Sequence, residues 1–153
     1  MVEDVIKVEQ VRVELVRRLR ETVLRPDSPP ELSIYPSDSS PDAQHFAAWF
    51  ENKIVGAASI YPESLPANCG EFENPWRLRG MAVVLEQQGK GIGKAILREA
   101  INFIKRLDGK VLWCNGRTTA LGFYRSFGFE IIGEEFDVPE SGAHFVMILR
   151  IEG

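Results

Sequence analysis

A glycine-rich stretch between a strand pattern and a helix pattern constrains the fold more than any other feature of the sequence. Glycine stands at positions 89, 91 and 93, shortly after Arg77–Val84, whose apolar residues are typical of a strand. Beyond the glycines, apolar residues recur at steps of three and four, which predicts one buried helix face: Ile92, Ile96, Ala100, Phe103 and Leu107. Asp108 and Gly109 predict the end of that helix, and the apolar Val111–Cys114 predicts a buried strand. Strands joined through a helix are normally parallel, so the sequence predicts a central parallel β-α-β unit.

The segments on either side of this unit predict further strands, two more helices and a long loop. Strand patterns occur in five segments: Val5–Val8, Gln44–Phe50, Ile54–Tyr61, Phe129–Val138 and Ala143–Ile151. Helical patterns occur at Gln10–Leu24, which Pro26 ends, and at Thr118–Phe127, which Gly128 ends. Arg25–Asp42 contains four prolines and predicts an exposed loop. We therefore expect a mixed sheet with helices packed against it.

Length and composition limit the class of protein. With 153 residues, of which 44% are hydrophobic and 26% charged, the chain predicts a single globular domain over residues 1–153. The formal net charge of −4 argues against a nucleic-acid binder, and no apolar run is long enough to span a membrane. The two cysteines, Cys69 and Cys114, stand without metal-ligand spacing, so we expect no metal and a reduced, cytoplasmic protein.

The glycine-rich turn predicts a binding site for an anion. Glycine adopts backbone angles closed to other residues, and a helix N-terminus carries unpaired N–H groups and partial positive charge. Lys90, Lys94 and Arg98 lie four residues apart and share one helix face, which favours a phosphate group. The alternatives are a tight turn that binds nothing and a solvated basic face. The glycine spacing matches neither GxGxxG nor GxxxxGK[ST], so neither NAD nor ATP is favoured.

Two stretches of the sequence resemble signatures of the GNAT family of N-acetyltransferases. The stretch LRGMAVVLEQQGKGIGKAIL resembles the acetyl-CoA-binding segment, whose Gln/Arg-x-x-Gly-x-Gly/Ala turn is matched by Gln88, Gly91 and Gly93. The stretch ALGFYRSFGF, at residues 120–129, resembles the helix and turn that follow in the same family. The resemblance covers about residues 76–130 and extends to uncharacterised and ElaA-like members. It implies an α/β (α+β) GNAT-like fold: a mixed, mostly antiparallel sheet with a central parallel β-α-β unit and helices on both faces.

The resemblance also implies an activity and a set of binding residues. It implies acetyl-CoA as co-substrate, direct attack of a primary amine on the thioester, and no metal. The pantetheine arm is expected between Arg77–Val84 and Val111–Cys114. Main-chain groups are expected to hold the arm and the pyrophosphate: Met81, Ala82, Val83, Gln88, Gly89, Lys90, Gly91, Ile92, Gly93 and Lys94. Asn115 is expected to contact an amide of the arm; many members carry Asn at the position of Arg117.

The resemblance assigns the catalytic acid to one residue and leaves the general base open. Tyr124 matches the family tyrosine that protonates the leaving thiolate and contacts the cofactor, although its position on the helix also fits a core residue. Four side chains are candidates for the general base: His144, Glu63, Glu73 and His45. We favour His144, followed by Glu63.

The acceptor, the partners and the activity itself leave alternatives open. Acidic residues within 130–142 favour a cationic acceptor, either a small molecule or a peptide amine, unless they form a solvated hairpin. The proline-rich loop is expected over the acceptor pocket. The alternative functions are a non-catalytic acetyl-CoA-binding sensor or scaffold and a transferase for longer acyl groups. Phe145, Met147 and Leu149 alternate as in an edge strand, which is compatible with a homodimer.

Overall fold

The computed structural model of the chain describes residues 6–139 and 141–152. Within these ranges, three α-helices lie at Val13–Leu19 (α1), Ile92–Arg106 (α2) and Leu121–Phe127 (α3). The strands β1 to β7 lie, in chain order, at Lys7–Val11, Gln44–Phe50, Lys53–Pro62, Pro75–Val83, Val111–Arg117, Glu130–Val138 and Gly142–Arg150. No helix in the described ranges is both long enough and apolar enough to cross a membrane.

The strands form one sheet in the order β1-β2-β3-β4-β5-β7-β6. β4 and β5 are parallel, whereas β2 is antiparallel to β1 and β3, and β7 is antiparallel to β5 and β6. This order confirms the predicted mixed, mostly antiparallel sheet with a central parallel β-α-β unit. The chain divides into a first compact unit, residues up to Tyr61 with Gly80–Asn102, and a second, Pro62–Arg79 with residues from Phe103 onward. One domain over residues 1–153 stays a prediction.

The N-terminal strand ends later, and the helix after it begins later, than the sequence pattern predicts. β1 pairs with β2 from Lys7 opposite Trp49 to Val11 opposite His45. α1 therefore begins at Val13 instead of Gln10, and it continues as a π-helical segment to Leu24, where the helix was predicted to end. Gln10 and Val11 also fit the helical periodicity, but pairing with β2 holds them in the extended conformation. Val5, the predicted start of the strand, lies outside the described residues.

Residues 51–53 of the sequence suit a hairpin turn between two strand patterns, and the structure confirms this hairpin between β2 and β3. Glu51 and Asn52 connect the two strands with φ angles of 50° and 65°. Two successive residues with positive φ are the signature of the type I′ turn, whose twist matches that of antiparallel strands. The register runs from Gln44 opposite Ile60 to Phe50 opposite Lys53, with a bulge at Trp49.

A buried ion pair in the first unit anchors the proline-rich segment. The side chain of Arg20 is 1% exposed and donates to both carboxylate oxygens of Asp38, at 2.7 and 3.0 Å. It also donates to Oγ of Ser59 at 2.7 Å and to the main-chain oxygen of Ser33 at 3.1 Å. Its guanidinium lies 3.9 Å from the ring centroid of Tyr35. One side chain therefore ties a helix, a loop and a strand together.

The prediction of an exposed loop over Arg25–Asp42 is wrong for part of that segment. Two short 3-10 helices, Pro30–Ser33 and Pro36–Ser39, each begin with a proline. Ser33, Tyr35 and Asp38 are buried. The composition of the segment is that of a loop, but the long-range contacts of Arg20 order it.

The central helix follows the predicted stripe except at its C-terminal end. Ile92, Ile96 and Ala100 are buried, whereas Leu107 is 52% exposed and lies beyond the last helical residue. Asp108 has the left-handed conformation, with φ of 59°, and so ends the helix; Gly109 does not have a positive φ. Position 109 requires glycine because a Cβ there would overlap the side chain of Ile104.

In the second unit, β7 lies between β5 and β6. β5 pairs with β7 from Val111 opposite Arg150 to Arg117 opposite His144, and β6 pairs with the other edge of β7. The description of β7 as an edge strand is therefore wrong, and Met147 is fully buried. A homodimer stays a prediction, but the edge-strand pattern no longer supports it. β4 and β5 pair from Pro75 opposite Val111 to Arg77 opposite Trp113, and α3 ends as predicted at the left-handed Gly128.

The Arg20–Asp38 pair predicts a large loss of stability on removal of one partner. Asp38→Ala leaves a buried guanidinium without its counter-charge, and we expect the free energy of unfolding to fall by about 3–5 kcal/mol. The control is Glu130→Ala, whose ion pair with Arg150 joins side chains 57% and 65% exposed, and which should cost at most about 1 kcal/mol. Urea denaturation measures both; equal losses would contradict a stabilising role for the buried pair.

The same pair predicts a pH dependence of stability. Burial raises the pKa of Asp38, but the hydrogen bonds from Arg20 and from the main chain of Tyr35, with the charge of Arg20, hold it below 3.8. A lowered folded pKa gives stability that is present above the unfolded value and is lost as pH falls through the folded value. The gap in unfolding free energy between the parent and Asp38→Asn should therefore narrow as the pH falls below about 4. A gap that persists unchanged at lower pH would contradict this.

Candidate active site

The glycine-rich turn adopts the conformation that its composition predicts. Gly89 and Gly91 have φ angles of 80° and 82°, in the left-handed region that other residues avoid. Gly93 lies inside α2 and does not have a positive φ. The side-chain amide of Gln88 donates to the main-chain oxygen of Val83 at 3.0 Å, which fixes the turn to the end of β4.

Main-chain N–H groups at this turn are free to bind a ligand. The first hydrogen bond of α2 joins the N–H of Ala95 to the oxygen of Gly91, at 3.0 Å. Within the described part of the chain, no main-chain acceptor pairs with the N–H groups of Gly89–Lys94. A Cβ built on Gly89 or Gly91 would meet nothing within 4 Å, so the approach to these donors is open. Such a row of donors at a helix N-terminus fits a phosphate group.

The charges near the turn also suit an anion. α2 has no acidic residue in its first turn. Lys90 and Arg98 are exposed and Lys94 is half-buried. Cations at this end of the helix add to the positive end of the helix dipole, so an anion meets attraction from both sources.

The predicted arm-binding residues of β4 follow a backbone irregularity. Gly80 has a φ of 70°, and a Cβ there would lie 2.9 Å from Nε of Arg20. After it, Ala82 is buried in a cluster with α1, whereas Met81 and Val83 are half-buried. The Arg20 network therefore packs directly against the start of the segment predicted to bind the arm.

Tyr124 is held as a buried, protonated phenol in the second unit. It lies on α3, is 8% exposed, and contacts Phe123 and Phe129 edge-on, with ring centroids 5.1 and 5.2 Å away. The thiol of Cys114 is a neighbour of its hydroxyl. Burial, followed by the interaction with Cys114, raises the pKa of Tyr124 well above its ordinary value. The phenol therefore stays protonated at neutral pH, which a proton donor requires.

Asn115 carries a buried acceptor with no partner. Its Oδ1 atom is removed from solvent and makes no hydrogen bond with any residue that the structure describes. Buried polar atoms are nearly always paired, so an unpaired amide oxygen is suited to a donor on a ligand. An amide N–H of a pantetheine arm is such a donor, and the residue therefore fits its predicted role.

Two of the four predicted base candidates are buried histidines. The Nδ1 atom of His144 lies 2.8 Å from the main-chain oxygen of Gly142 and therefore donates, which leaves Nε2 as the basic atom. His45 lies 2.6 Å from Oγ of Ser59, and burial lowers its pKa.

The other two candidates are carboxylates. Glu63 forms an ion pair with Arg77 at 2.8 Å, and its main-chain oxygen accepts from Nε1 of Trp113. Glu73 is exposed. The choice of base stays a prediction.

Comparison with known proteins places the chain in a family. The acetyltransferase (GNAT) domain family matches residues 41–131, more than half of the chain. The chain belongs to the GNAT family. It is therefore an acyltransferase, as the sequence signatures predicted.

Individual GNAT relatives agree with this membership. An uncharacterised N-acetyltransferase of Bacillus subtilis, YitI, is 28% identical over 142 residues, which cover 93% of this chain and 94% of YitI. The crystal structure of Escherichia coli ElaA has a TM-score of 0.76 at 19% identity, covering 94% and 99% of the two chains. A GNAT acetyltransferase from Brucella melitensis, solved with acetyl-CoA, has a TM-score of 0.69 at 19% identity, covering 99% and 91%.

Two features of this GNAT protein were not predicted from its sequence. The sequence assigns no role to Cys114, but its thiol is a neighbour of the Tyr124 hydroxyl and raises the pKa of that group. Cys114 and Gly116 alternate on one face of β5, and this spacing is the only sequence signal for the contact. The Arg20–Asp38 pair left no signal, because its partners lie in a helix and in a segment without periodicity.

The proposed role of the turn predicts that two glycines with the same φ angle differ in their effect on acetyl-CoA binding. Gly91 and Gly133 both have φ of 82° and open space where a Cβ would stand, but Gly133 lies in β6. Alanine should therefore strain both sites alike. We expect Gly91→Ala to weaken acetyl-CoA binding about 10- to 100-fold, because the donors no longer converge on a charged group. Gly133→Ala should bind like the parent. Calorimetric titration measures the affinities; equal affinity in Gly91→Ala and the parent would refute the assignment.

Proposed function

We propose that this GNAT protein transfers the acetyl group of acetyl-CoA to a primary amine by direct attack of the amine. The observation that carries the proposal is the open row of main-chain donors at Gly89–Lys94. The Brucella melitensis relative, solved with acetyl-CoA, supports the choice of co-substrate.

Each binding group has a defined task in this proposal. The N–H groups of residues 89–94 bind the pyrophosphate, because fixed donors that converge on a double negative charge need no rearrangement on binding. The prediction that the N–H of Gln88 belongs to this row is wrong, since that group donates to the main-chain oxygen of Leu85 at 3.2 Å. The main chain of Met81–Val83 binds the pantetheine arm as an added strand does. Oδ1 of Asn115 accepts from an amide N–H of the arm. Lys90 and Lys94 add electrostatic attraction for the phosphates.

The chain's own groups then handle the charges and protons of the transfer. A main-chain N–H of Met81–Val83 stabilises the oxygen on which negative charge develops, and one such donor contributes roughly 2.7–4 kcal/mol in the transition state. Nε2 of His144 accepts the proton that the amine loses, with Glu63 as the second candidate. Tyr124 donates its proton to the departing sulfur.

The acceptor is a cationic amine, either a small molecule or a peptide. Four acidic residues of β6 are exposed: Glu130, Glu134, Glu135 and Asp137. Glu140, which belongs to the same acidic stretch of the sequence, lies outside the described residues. The negative charge of these acidic residues attracts the amine in its protonated form, before the amine loses its proton.

The proposal predicts the effect of removing one hydroxyl. Tyr124→Phe should lower kcat about 100-fold, the usual contribution of a positioned acid, with little change in acetyl-CoA affinity. The control is Tyr61→Phe, which removes another buried phenol hydroxyl, one without a hydrogen-bond partner in the described ranges of the chain, and it should behave like the parent. Release of free CoA is measured with a panel of amines: peptide N-termini, a lysine side chain, polyamines and an antibiotic amine.

The same assay separates the competing functions. A parent protein that binds acetyl-CoA but releases no CoA with any amine would favour the non-catalytic sensor. Turnover that survives Tyr124→Phe would show that another group protonates the thiolate. A preference for longer acyl donors would change the acyl group and leave the transfer chemistry as proposed.

A further inference from the structure

The buried guanidinium of Arg20 uses four of its five hydrogen-bond donors. Nη1 donates to the main-chain oxygen of Ser33 at 3.1 Å and to Oδ2 of Asp38 at 2.7 Å. Nη2 donates to Oδ1 of Asp38 at 3.0 Å and to Oγ of Ser59 at 2.7 Å. Because the guanidinium is planar, these bonds fix both its position and its orientation.

The acceptors of Arg20 are themselves held in place. Oδ2 of Asp38 also accepts from the main-chain N–H of Tyr35, at 3.0 Å, within the proline-rich segment. Ser59 belongs to β3, and its Oγ lies 2.6 Å from Nδ1 of His45 in β2. The guanidinium is therefore tied to two strands of the sheet and to the proline-rich segment, so its position does not depend on a single contact.

The fifth donor, Nε of Arg20, lies against the main chain of β4. It is buried and has no hydrogen-bond partner among the residues that the structure describes. A Cβ built on Gly80 would stand 2.9 Å from this nitrogen and 3.4 Å from Cε2 of Tyr35. Since Nε gains no hydrogen bond there, the four other bonds hold it against Gly80. The side chain of Arg20 thus fills the space that a larger residue at position 80 would need.

Gly80 has a conformation that affects the residues after it. Its φ of 70° departs from the extended conformation of a strand, and glycine adopts it more readily than any other residue. The peptide group that carries the N–H of Met81 follows directly, so the dihedral angles of Gly80 set the direction of that N–H. A side chain that immobilises Gly80 therefore also orients the start of Met81–Val83, the segment whose main chain is proposed to act on the thioester.

We propose that Arg20 is a positioning residue, whose immobilised guanidinium holds the main chain at Gly80 so that an N–H of Met81–Val83 meets the thioester oxygen. Such a donor acts when it lies about 2.7–3.1 Å from the position that the oxygen takes in the transition state. A misplacement of about 1 Å can lower the rate about 100-fold. The inference rests on the proposed function, because it requires the main chain of β4 to stabilise the developing charge.

The stretching band of the thioester carbonyl tests this role without turnover. A hydrogen bond to a carbonyl oxygen weakens the C=O bond and lowers the wavenumber of the band. Difference infrared spectroscopy with acetyl-CoA that carries carbon-13 at the acetyl carbonyl should show the bound band below that of free acetyl-CoA. The complex contains no amine, so the general base has no part in this readout.

Two buried serines provide a matched pair of variants. Ser59→Ala removes a hydroxyl that accepts from Arg20, whereas Ser33→Ala removes a hydroxyl without a partner in the described ranges and keeps the main-chain acceptor. Ser59→Ala should move the bound band back toward the free position. It should also lower kcat about tenfold, a part of the roughly 100- to 1,000-fold that one such donor contributes, with KM for acetyl-CoA within about twofold of the parent. Ser33→Ala should match the parent.

A second variant keeps the test decisive if Ser59→Ala lacks the parent's melting transition. Arg20→Lys retains a positive charge beside Asp38 but not the planar fork that binds three residues, and it should move the band in the same direction. A folded Ser59→Ala that leaves the band and kcat as in the parent would overturn the inference. An equal change in Ser59→Ala and Ser33→Ala would also overturn it, because the effect would not come from the bonds of Arg20.

Failure of this inference is distinguishable from failure of the proposed function. If the band of the parent does not move when acetyl-CoA binds, or if the parent shows no turnover with any amine, the proposed function fails and the inference falls with it. If the parent shows both the band shift and turnover, and Ser59→Ala retains both in full, only the inference falls.

Discussion

The start of α2 is the constraint on which the account of this protein depends. Among the described residues, no main-chain acceptor pairs with the N–H groups of Gly89–Lys94, and two glycines of this turn take the left-handed conformation. Close packing in the first unit then holds the helix in place. A Cβ built on Gly56 of β3 would lie 2.8 Å from Cδ1 of Ile96 and 2.9 Å from Cγ2 of Ile92. The first turns of α2 therefore press against the β3 backbone, and the donors point from a rigid base, as a preformed anion site requires.

Buried polar groups organise each unit. In the first, Arg20 binds Asp38 and Ser59 and packs against the main chain at Gly80, so the proline-rich segment is tied to the strand that precedes the turn. In the second, Tyr124 is buried, contacts two aromatic rings edge-on and has the Cys114 thiol as a neighbour. The first arrangement stabilises charge by pairing, and the second keeps a phenol neutral by burial. Both are consequences of placing polar groups where water cannot reach them.

The sequence predicted those parts of the fold that depend on local pattern. The β-α-β unit, the hairpin at Glu51–Asn52 and the helix stop at Gly128 follow from apolar periodicity and turn residues. The position of β7 between β5 and β6 could not be predicted, since a period-two pattern does not specify the neighbours of a strand. The edge-strand interpretation of Phe145–Leu149 was wrong for that reason.

Some features of the candidate site could likewise be predicted from the sequence, and others could not. The conformation of the turn at Gly89–Lys94 is a local property and was predictable. The partners of Arg20 and Cys114 were not, because they are distant in sequence and meet only through tertiary packing. The unpaired Oδ1 of Asn115 is also visible only in the folded chain, although the family resemblance had pointed to the residue.

The most direct test of the central claim is an NMR titration that follows the main-chain amides. CoA and dephospho-CoA both contain the diphosphate, whereas pantetheine does not. The account predicts that the signals of Gly89–Lys94 shift saturably with the two diphosphate ligands and stay in place with pantetheine. Saturable CoA binding that moves other amides and leaves these unchanged would contradict it.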